Sequence, residues 1–399
     1  MAQLRAGPML RAVDATSATV WVETDTPCEV AVGDHRARTV TLFGHHYAFV
    51  AVSDFTPGAP YTVTLDGQRA WPADDRFPPS RLRAPPAERA TVLFGSCRSI
   101  LSDELGDPDR VDALRECAWR AASDPGQALP DLIVLLGDQV YADRTPPATR
   151  RFIRCRRSVK GPVGTHAHDF TEFAALYREA WSEPAVRWLL STVPTVMIFD
   201  DHEVIDNWNT SARWLAAHEA QPWWPQRLRN ALAAYWMYQH LGNLTADERA
   251  ADPGFAALRR GDPSVALATF ERLASRGGEG TPGVRWSYAR TVGPARLVMI
   301  DSRGGRVLQG GKRHLLDEDE WAWLEDERAH PAPYLLLGTS LPLLLPHGLH
   351  ELERITTAAC AGRWGRVGAR IGERVRQAAQ FTTGRWRCCA APPGRHAEA

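Results

Sequence analysis

The sequence predicts an α/β domain that is preceded by a small β-sandwich. Three features of the 399 residues support this prediction: short strand-like segments in residues 1–75, a proline-rich stretch at 76–88, and apolar runs that alternate with helical patterns in residues 89–380. We interpret these as an N-terminal domain, a linker and a larger second domain. Residues 381–399 have neither a helical nor a strand period, and we expect them to be disordered.

Residues 1–75 are predicted to form the strands of the sandwich. Ala18–Thr24 alternates β-branched and aromatic residues, which is typical of a strand, and turn residues such as Pro57-Gly58 separate the segments. The further predicted strands are Cys28–Val32, Arg38–Leu42, Tyr47–Val52 and Tyr61–Leu65. Phe77–Pro86 then has four prolines in ten residues, which favours an extended and stiff linker.

Five apolar runs in the second domain each stop at a polar or small residue. Runs that are apolar at every position are typical of strands buried on both faces of a parallel sheet. They end at Cys97, Asp138, Asp201, Asp301 and Ser340. Because ligands bind at the carboxyl ends of such strands, this pattern predicts a functional site there.

Helical patterns lie between these runs, as an α/β domain requires. The predicted helices are Asp109–Ala122, Asp169–Trp181 and Pro225–Leu241, the last ended by Gly242 as its C-cap. Thr245–Pro282 is polar and glycine-rich towards its end, and we expect an irregular surface excursion with short helices there.

Composition excludes several classes of protein. The chain has 47 basic and 47 acidic residues, so no net charge draws it to nucleic acid, and we predict no dedicated nucleic-acid partner. The sequence contains no run of eighteen apolar residues, so we predict no membrane span. The N-terminus lacks the apolar core of a signal peptide. Seven cysteines without a framework suit a reducing compartment, so we expect a cytoplasmic protein. The oligomeric state is left open.

The string GDQVYAD holds two candidate metal ligands. Asp138 follows a buried strand, and Tyr141 comes three residues later, so that one turn can place both side chains in one site. A carboxylate is a hard oxygen ligand, and a phenolate suits a trivalent ion such as Fe³⁺. The alternative is an aspartate that caps the following segment.

The string FDDHEVIDNWN holds three more candidates. Asp201, His202 and Asn207 together offer oxygen and nitrogen donors directly after an apolar strand. Adjacent carboxylates repel each other unless a cation or a proton holds them. The alternative for His202 is an ordinary hydrogen-bonded polar residue.

Other strand ends give weaker candidates. In FGSCR, Cys97 is either a ligand or a small buried hydrophobic residue, and Arg98 either binds a phosphate through its planar fork or forms a salt bridge. In IDSRGGR, Asp301 and Arg303 either support the metal ligands or form an ordinary buried ion pair, and the ion pair is the preferred interpretation. His347 and His350 lie three apart on a loop and are expected at the surface rather than on a metal.

Taken together, these strings resemble the PhoD-like alkaline phosphatases of the calcineurin-like metallophosphatase superfamily. The resemblance runs from about residue 90 to about residue 378 and includes FGSCR, LGDQVYAD, FDDHEVIDNWNTS, YWMYQHLGNL and IDSRGGR. It implies two packed sheets flanked by helices, preceded by a small β-sandwich. It also implies metal-dependent hydrolysis of a small-molecule phosphate monoester or diester.

The resemblance also implies roles for individual residues. Asp138 would bridge two metals, with Cys97 and Tyr141 on the first, expected to be Fe³⁺. Asp201 would bind the second, expected to be Ca²⁺, with Asn207 as a further ligand. His202 would stabilise the phosphate or the leaving group.

The resemblance ends after Ala379. Family members continue through an Asp-Leu-Glu-His-Trp-like string and a Ser-Gly-Asp-Val-His-like loop that supplies late ligands, and neither string occurs here. A sheet lacking later strands would have an unpaired edge and exposed apolar surface. Two alternatives therefore stand beside the active enzyme. One is a catalytically inactive truncated relative, and the other is a binding protein that uses the β-domain and the tryptophans.

Overall fold

The computed structural model has a mixed α/β architecture. It describes residues 1–84, 86–100, 111–124, 129–275, 284–308, 314–342, 347–348, 351 and 355. Met1–Leu341 forms one compact unit, and Pro342–Ala399 forms a second. In the second unit His347 is exposed and helical, whereas His350 and the tail 381–399 lie outside the described residues.

Two four-stranded antiparallel sheets occupy the N-terminal part. Their orders are β1-β2-β6-β5 and β4-β3-β7-β8. The strands are β1 (Leu4–Val13), β2 (Ser17–Thr24), β3 (Glu29–Val32), β4 (His35–Arg38), β5 (Val40–Leu42), β6 (His45–Ser53), β7 (Val63–Leu65) and β8 (Gln68–Trp71). Val20 and Val50 of the first sheet and Val30 and Val63 of the second are buried in one shared core. The five predicted strands overlap β2, β3, β5, β6 and β7.

Strands β1, β4 and β8 were not predicted. β1 contains Gly7-Pro8 and a buried Arg11, which hide its strand pattern. β4 (HRAR) and β8 (QRAW) are too polar to show a clear apolar alternation. Each pairs at the edge of its sheet, and β4 and β8 are largely accessible to solvent there, whereas β1 is mostly buried.

The first N-terminal sheet also packs against the rest of the unit. Met9, Trp21 and Tyr47 belong to the large core formed with the helices. Arg11 of β1 donates from Nη2 to the carbonyl of Gln239 at 2.6 Å and to Oδ1 of Asn243 at 2.9 Å. The N-terminal sheet therefore shares its interior with the α/β part.

The proline-rich stretch is held on the same unit. The ring of Phe77 lies 5.4 Å from that of Trp119 and 6.0 Å from that of Trp188. The hydroxyls of Ser80 and Ser191 are 2.6 Å apart. The stretch predicted as a linker thus contacts the rest of the unit through Phe77 and Ser80.

Six strands form two further sheets. β9 (Val92–Gly95), β10 (Leu132–Leu136) and β11 (Thr195–Ile198) are parallel, in the order β11-β10-β9. β12 (Tyr288–Val292), β13 (Ala295–Ile300) and β14 (Tyr334–Thr339) form the second sheet, in which β13 and β14 are parallel. All five apolar runs are strands. β12 was not predicted, because Arg290 and Thr291 interrupt its apolar pattern.

Residues of both three-stranded sheets meet in one buried cluster. Val134 and Ile198 come from the parallel sheet, and Leu297 and Met299 come from the other. The two edge strands β9 and β14 also expose apolar side chains: Phe94 is 71% exposed and Tyr334 is 63% exposed. The carboxyl ends of β9, β10 and β11 lie together because the strands are parallel neighbours.

Helices connect and cover the sheets. They are α1 (Ala113–Ser123), α2 (Pro147–Arg156), α3 (Phe170–Ala180), α4 (Pro184–Thr192), α5 (Ala212–Glu219), α6 (Trp224–Tyr235), α7 (Leu241–Asn243), α8 (Ala246–Ala251), α9 (Pro253–Arg259), α10 (Ser264–Ser275) and α11 (Glu318–Ala329). Three of them agree with the predicted helices: α1, α3 and α6. Asp169 caps α3 by accepting from the Glu172 N–H. The region 245–275 contains three helices, α8 to α10, in agreement with the predicted short helices, and the glycine-rich end of the predicted excursion lies outside the described residues.

Gly242 does not cap a helix, contrary to the prediction. A π-helical turn, Trp236–His240, joins α6 to α7, and Gly242 lies inside α7, which ends at the extended Leu244. A Cβ atom at Gly242 would collide with the Arg11 guanidinium. The glycine is needed for this close approach rather than for a turn.

Among the described residues, no helix combines the length and the apolar character needed to cross a bilayer.

Candidate metal centre

Backbone hydrogen bonds draw together the loops that follow β9, β10 and β11. The N–H of Cys97 donates to the carbonyl of Gly137 at 3.1 Å, and the N–H of Arg98 donates to that of Asp138 at 3.0 Å. The N–H of His202 donates to Oδ1 of Asp138 at 3.1 Å. The three predicted strand ends therefore form one site.

Asp138, Asp201 and His202 form the centre of this site. Each offers one ligand atom, and these atoms all lie within 4.8 Å of one another. All three residues are buried. Carboxylate oxygens and an imidazole nitrogen are common metal ligands, so the donor set fits a bound cation.

The electrostatics of Asp138 support that fit. Burial raises the pKa of Asp138, and the charges of Asp200 and Asp201 raise it further. Clustered carboxylates that cannot all ionise without compensation are stabilised by a cation.

The other predicted ligands surround this centre. The Cys97 thiol interacts with the Asp138 carboxylate. The ring of Tyr141 lies 4.4 Å from that of His202, centroid to centroid. Burial and the charge of Asp138 raise the pKa of the Tyr141 phenol. The Asn207 N–H donates to Oδ2 of Asp201 at 2.5 Å.

The backbone at these strand ends is strained. Cys97, Asp138 and Asn207 have φ angles of 54°, 52° and 65°. Residues other than glycine rarely occupy this left-handed region, and such strain is concentrated at functional sites. The fold thus holds three of the predicted ligands in conformations that they would not adopt freely.

Gly137 allows the loops to approach each other. Its φ is 97°, and a Cβ atom there would lie 2.5 Å from the Cβ of Asp200 and 3.0 Å from its nitrogen. Only glycine fits at this position.

Glu203 fixes two of the loops, and sequence reasoning did not identify it. Its Oε2 accepts from the N–H groups of Asp138 at 3.0 Å and Asp200 at 2.9 Å. Its Oε1 accepts from the Gln139 N–H at 2.8 Å and from Nε2 of Gln239 at 3.1 Å. Glu203 lies directly beside His202 in the sequence, but three of its four partners are backbone N–H groups, which leave no signal in the sequence.

Arg303 is not paired with the Asp301 side chain, so the predicted ion pair is wrong. Its Nε donates to Oδ1 of Asp200 at 2.5 Å, and its Nη2 lies 3.4 Å from Oδ1 of Asp201. Asp301 instead accepts from the Arg303 backbone N–H at 2.8 Å. Ser340 also donates to Oδ1 of Asp200, at 3.0 Å. Both adjacent aspartates contact protein groups, and Arg303 lies closer to Asp200 than to Asp201.

His202 has its own carboxylate partner. Its Nδ1 lies 2.8 Å from Oδ1 of Asp143, and its Nε2 lies 3.8 Å from Oδ1 of Asp206. Burial lowers the pKa of a histidine, but the hydrogen bond and the charge of Asp143 outweigh it, so the pKa of His202 is raised. The pKa of Asp143 falls to about 2 against the effect of its burial, because it accepts from His202.

Arg98 lies in a buried ion pair. Its Nη2 donates to Oδ2 of Asp112 at 2.8 Å, its Nε donates to both carboxylate oxygens, and its Nη1 donates to the carbonyl of Ala180 at 2.5 Å. All three nitrogens of the guanidinium are therefore engaged. This arrangement corresponds to the salt bridge that was the alternative to a phosphate contact.

Two family models match parts of this chain. Residues 115–271 match the family described as PhoD-like phosphatase, and residues 1–82 match a domain of unknown function, DUF7800. The resemblance to the PhoD-like phosphatases is confirmed. The matched segment contains Asp138, Tyr141, Asp201, His202 and Asn207.

A solved structure also resembles the chain. The structure described as “Structure of PhoD” aligns with a TM-score of 0.52 at 16% sequence identity, covering 84% of this chain. At that identity the similarity is one of fold. This chain spans 61% of the length of that PhoD chain. The curated proteins give no significant match.

Proposed function

We propose that this chain hydrolyses phosphate esters at a site built on Asp138, Asp201 and His202, in which the two aspartates hold metal and His202 acts on the phosphate. The convergence of their ligand atoms within 4.8 Å, in a buried site within the PhoD-like segment, is the observation that supports it most directly. The substrate would be a phosphate monoester or diester.

Family resemblance supplies the identity of the metals in this proposal. Asp138 would be shared, Cys97 and Tyr141 would complete an Fe³⁺ site, and Asp201 with Asn207 would bind Ca²⁺. Arg303 lies closer to Asp200, at 2.5 Å, than to Asp201, at 3.4 Å, and Ser340 also donates to Asp200, which supports the choice of Asp201 as ligand. A raised pKa keeps the Tyr141 phenol neutral unless a cation is near, which is consistent with a metal-dependent ligand.

The protein groups have distinct roles in this mechanism. Bound metals supply Lewis acidity, which lowers the pKa of water and neutralises charge on phosphoryl oxygens. His202, whose pKa is raised by its hydrogen bond to Asp143, would hydrogen-bond a phosphoryl oxygen or give a proton to the leaving group. Glu203 holds the backbone of Asp138 and Asp200, and Arg98 positions the loop that carries Cys97.

Metal content and ester hydrolysis together test the proposal. Elemental analysis of the purified chain identifies the metals, and p-nitrophenyl phosphate and bis-p-nitrophenyl phosphate distinguish monoesterase from diesterase activity. We expect near-stoichiometric metal, and loss of both metal and hydrolysis in Asp138→Ala. Asp262→Ala, which removes an exposed carboxylate, is the matched control and should change neither.

The opposite result supports the inactive relative. A folded chain that binds no metal and hydrolyses neither ester would contradict the phosphoesterase proposal. Ligand binding that survives a chelator would instead favour the binding protein.

A further inference from the structure

A basic segment begins and ends at the candidate metal centre. The N–H of Ala142 donates to the carbonyl of His202 at 2.9 Å, and the N–H of Ala167 donates to the carbonyl of Ala142 at 2.7 Å. Residues 143–167, here called the basic excursion, therefore leave the site and return to it. The excursion contains α2 and the loop that follows.

The charge of the basic excursion is one-sided. Its seven basic residues are Arg144, Arg150, Arg151, Arg154, Arg156, Arg157 and Lys160. Asp143 is its one acidic residue, although the whole chain has equal numbers of acidic and basic residues. Asp169 and Glu172, which follow the excursion, neutralise two of these cations, and the remaining positive charge beside a site raises the local concentration of anions.

Some of these cations hold the excursion in place. Arg157 pairs with Glu172 at 2.7 Å and donates to the carbonyls of Gly164 and His166 at 2.9 and 2.7 Å. Arg156 pairs with Asp169 at 2.9 Å. These residues stabilise the loop and are not free for a ligand.

Arg151, Arg154 and Lys160 are different. All three are exposed, and within the described part of the chain none of them forms an ion pair. Arg151 and Arg154 are three residues apart on α2, so their side chains lie on one helix face. Guanidinium groups bind phosphate with two parallel hydrogen bonds.

We propose that this face binds the additional phosphoryl groups of a linear polyanionic substrate whose scissile phosphate lies at the Asp138–His202 centre. This inference rests on the proposed phosphoesterase function and extends it to a substrate class. The four residues from Asp143 to Pro147 span at most about 14 Å, and the helix rises about 1.5 Å per residue. Arg151 and Arg154 therefore lie within about 25 Å of Asp143, a reach that an extended phosphate chain has and a small monoester lacks.

Binding of inorganic polyphosphate tests the inference without relying on hydrolysis. Tripolyphosphate and an end-labelled long-chain polyphosphate are titrated against Asp138→Ala in EDTA. We expect the long chain to bind at least about 10-fold more tightly and to lose affinity as salt is added. The double variant Arg151→Glu with Arg154→Glu should abolish the difference between the two chain lengths.

A control variant separates this face from general charge. Arg259→Glu with Arg260→Glu makes the same change in net charge at the exposed end of α9, and should keep the length dependence. Equal affinity for both chain lengths, or an advantage that survives the Arg151 and Arg154 reversals, would overturn the inference. If the chain binds polyphosphate in a length-dependent way but the wild type hydrolyses no ester, the phosphoesterase proposal is contradicted instead. Failure of the inference and failure of the proposed function can therefore be distinguished.

Discussion

Replacing Glu203 by glutamine tests how the loops of the site are held. The substitution keeps size and shape but removes a charge and one acceptor oxygen. Each carboxylate oxygen accepts two hydrogen bonds: Oε2 from Asp138 and Asp200, and Oε1 from Gln139 and Gln239. A glutamine NH₂ group must face one of these two pairs in either orientation, so two buried donors lose their acceptor.

The expected cost follows from those two donors. A buried donor left without a partner costs about 1–3 kcal/mol, so the free energy of unfolding should fall by about 2–6 kcal/mol. Burial raises the pKa of Glu203 to about 7, against the effect of the backbone N–H groups of Asp200 and Gln139. Because this pKa is raised above that of an unfolded glutamate, the wild-type protein loses stability as pH rises from about 4.5 through about 7, and glutamine does not titrate. The difference in unfolding free energy between the two proteins should therefore be smaller at about pH 8 than at about pH 6.

Urea unfolding in EDTA measures the stability, and calorimetric titration with Mn²⁺ measures metal affinity. Glu179→Gln is the matched control. Glu179 accepts from the N–H groups of Ala148 at 3.0 Å and Thr149 at 2.6 Å, but holds α2 rather than the ligand loops. Both variants should lose stability, and Glu203→Gln alone should lose Mn²⁺ affinity.

Two results would refute this reasoning. One is a Glu203→Gln protein within about 0.5 kcal/mol of the wild type, a change usual for an unconstrained surface site. The other is an equal loss of Mn²⁺ affinity in both variants, which would mean that Glu203 acts only on global stability.

Three further predictions concern other parts of the molecule. Asp143→Asn should lower the pKa of His202, so that the rate of hydrolysis declines at a lower pH than in the wild type. A pH–rate profile and an NMR titration of the imidazole measure this. An unchanged profile would contradict the role of the Asp143–His202 hydrogen bond. Gly242→Ala should destabilise by about 1–3 kcal/mol in urea, despite the better helix propensity of alanine, because its methyl group meets the buried Arg11; a stabilised variant contradicts that packing. Burial, and then the charge of Asp301, raises the pKa of Glu320 to about 8. Its protonated form therefore stabilises the fold, and this stabilisation is lost as pH rises from about 4.5 through about 8. Glu320→Gln should reduce the fall in unfolding free energy over that pH range, and an unchanged pH dependence would contradict this.

The strands and the centre of the site were accessible to sequence reasoning. A strand buried on both faces must be apolar throughout, so the runs ending at Asp138 and Asp201 were recognisable. Parallel neighbours bring their carboxyl ends together, which places His202 beside Asp138 although 64 residues separate them. Local pattern and sheet geometry were enough for these features.

The surrounding partners could not be predicted in the same way. The preference of Arg303 for Asp200 over Asp301 depends on how the two three-stranded sheets are placed, which no local pattern records. An arginine such as Arg98 can bind phosphate, and the sequence does not show that its guanidinium forms an ion pair with Asp112. Long-range pairing of charges is set by tertiary structure.

The burial of Arg11 against α7 limits how modular this protein is. Trp21 of the same sheet lies 6.1 Å from Trp181 and 5.5 Å from Tyr238, ring centroid to ring centroid. Removing the N-terminal strands would expose the rings of Trp181 and Tyr238 to solvent and leave a cavity beside Gly242, where Arg11 is buried. The N-terminal strands and the helical layer therefore have to be inherited, exchanged or engineered as one unit, even though two separate families match the two stretches of sequence.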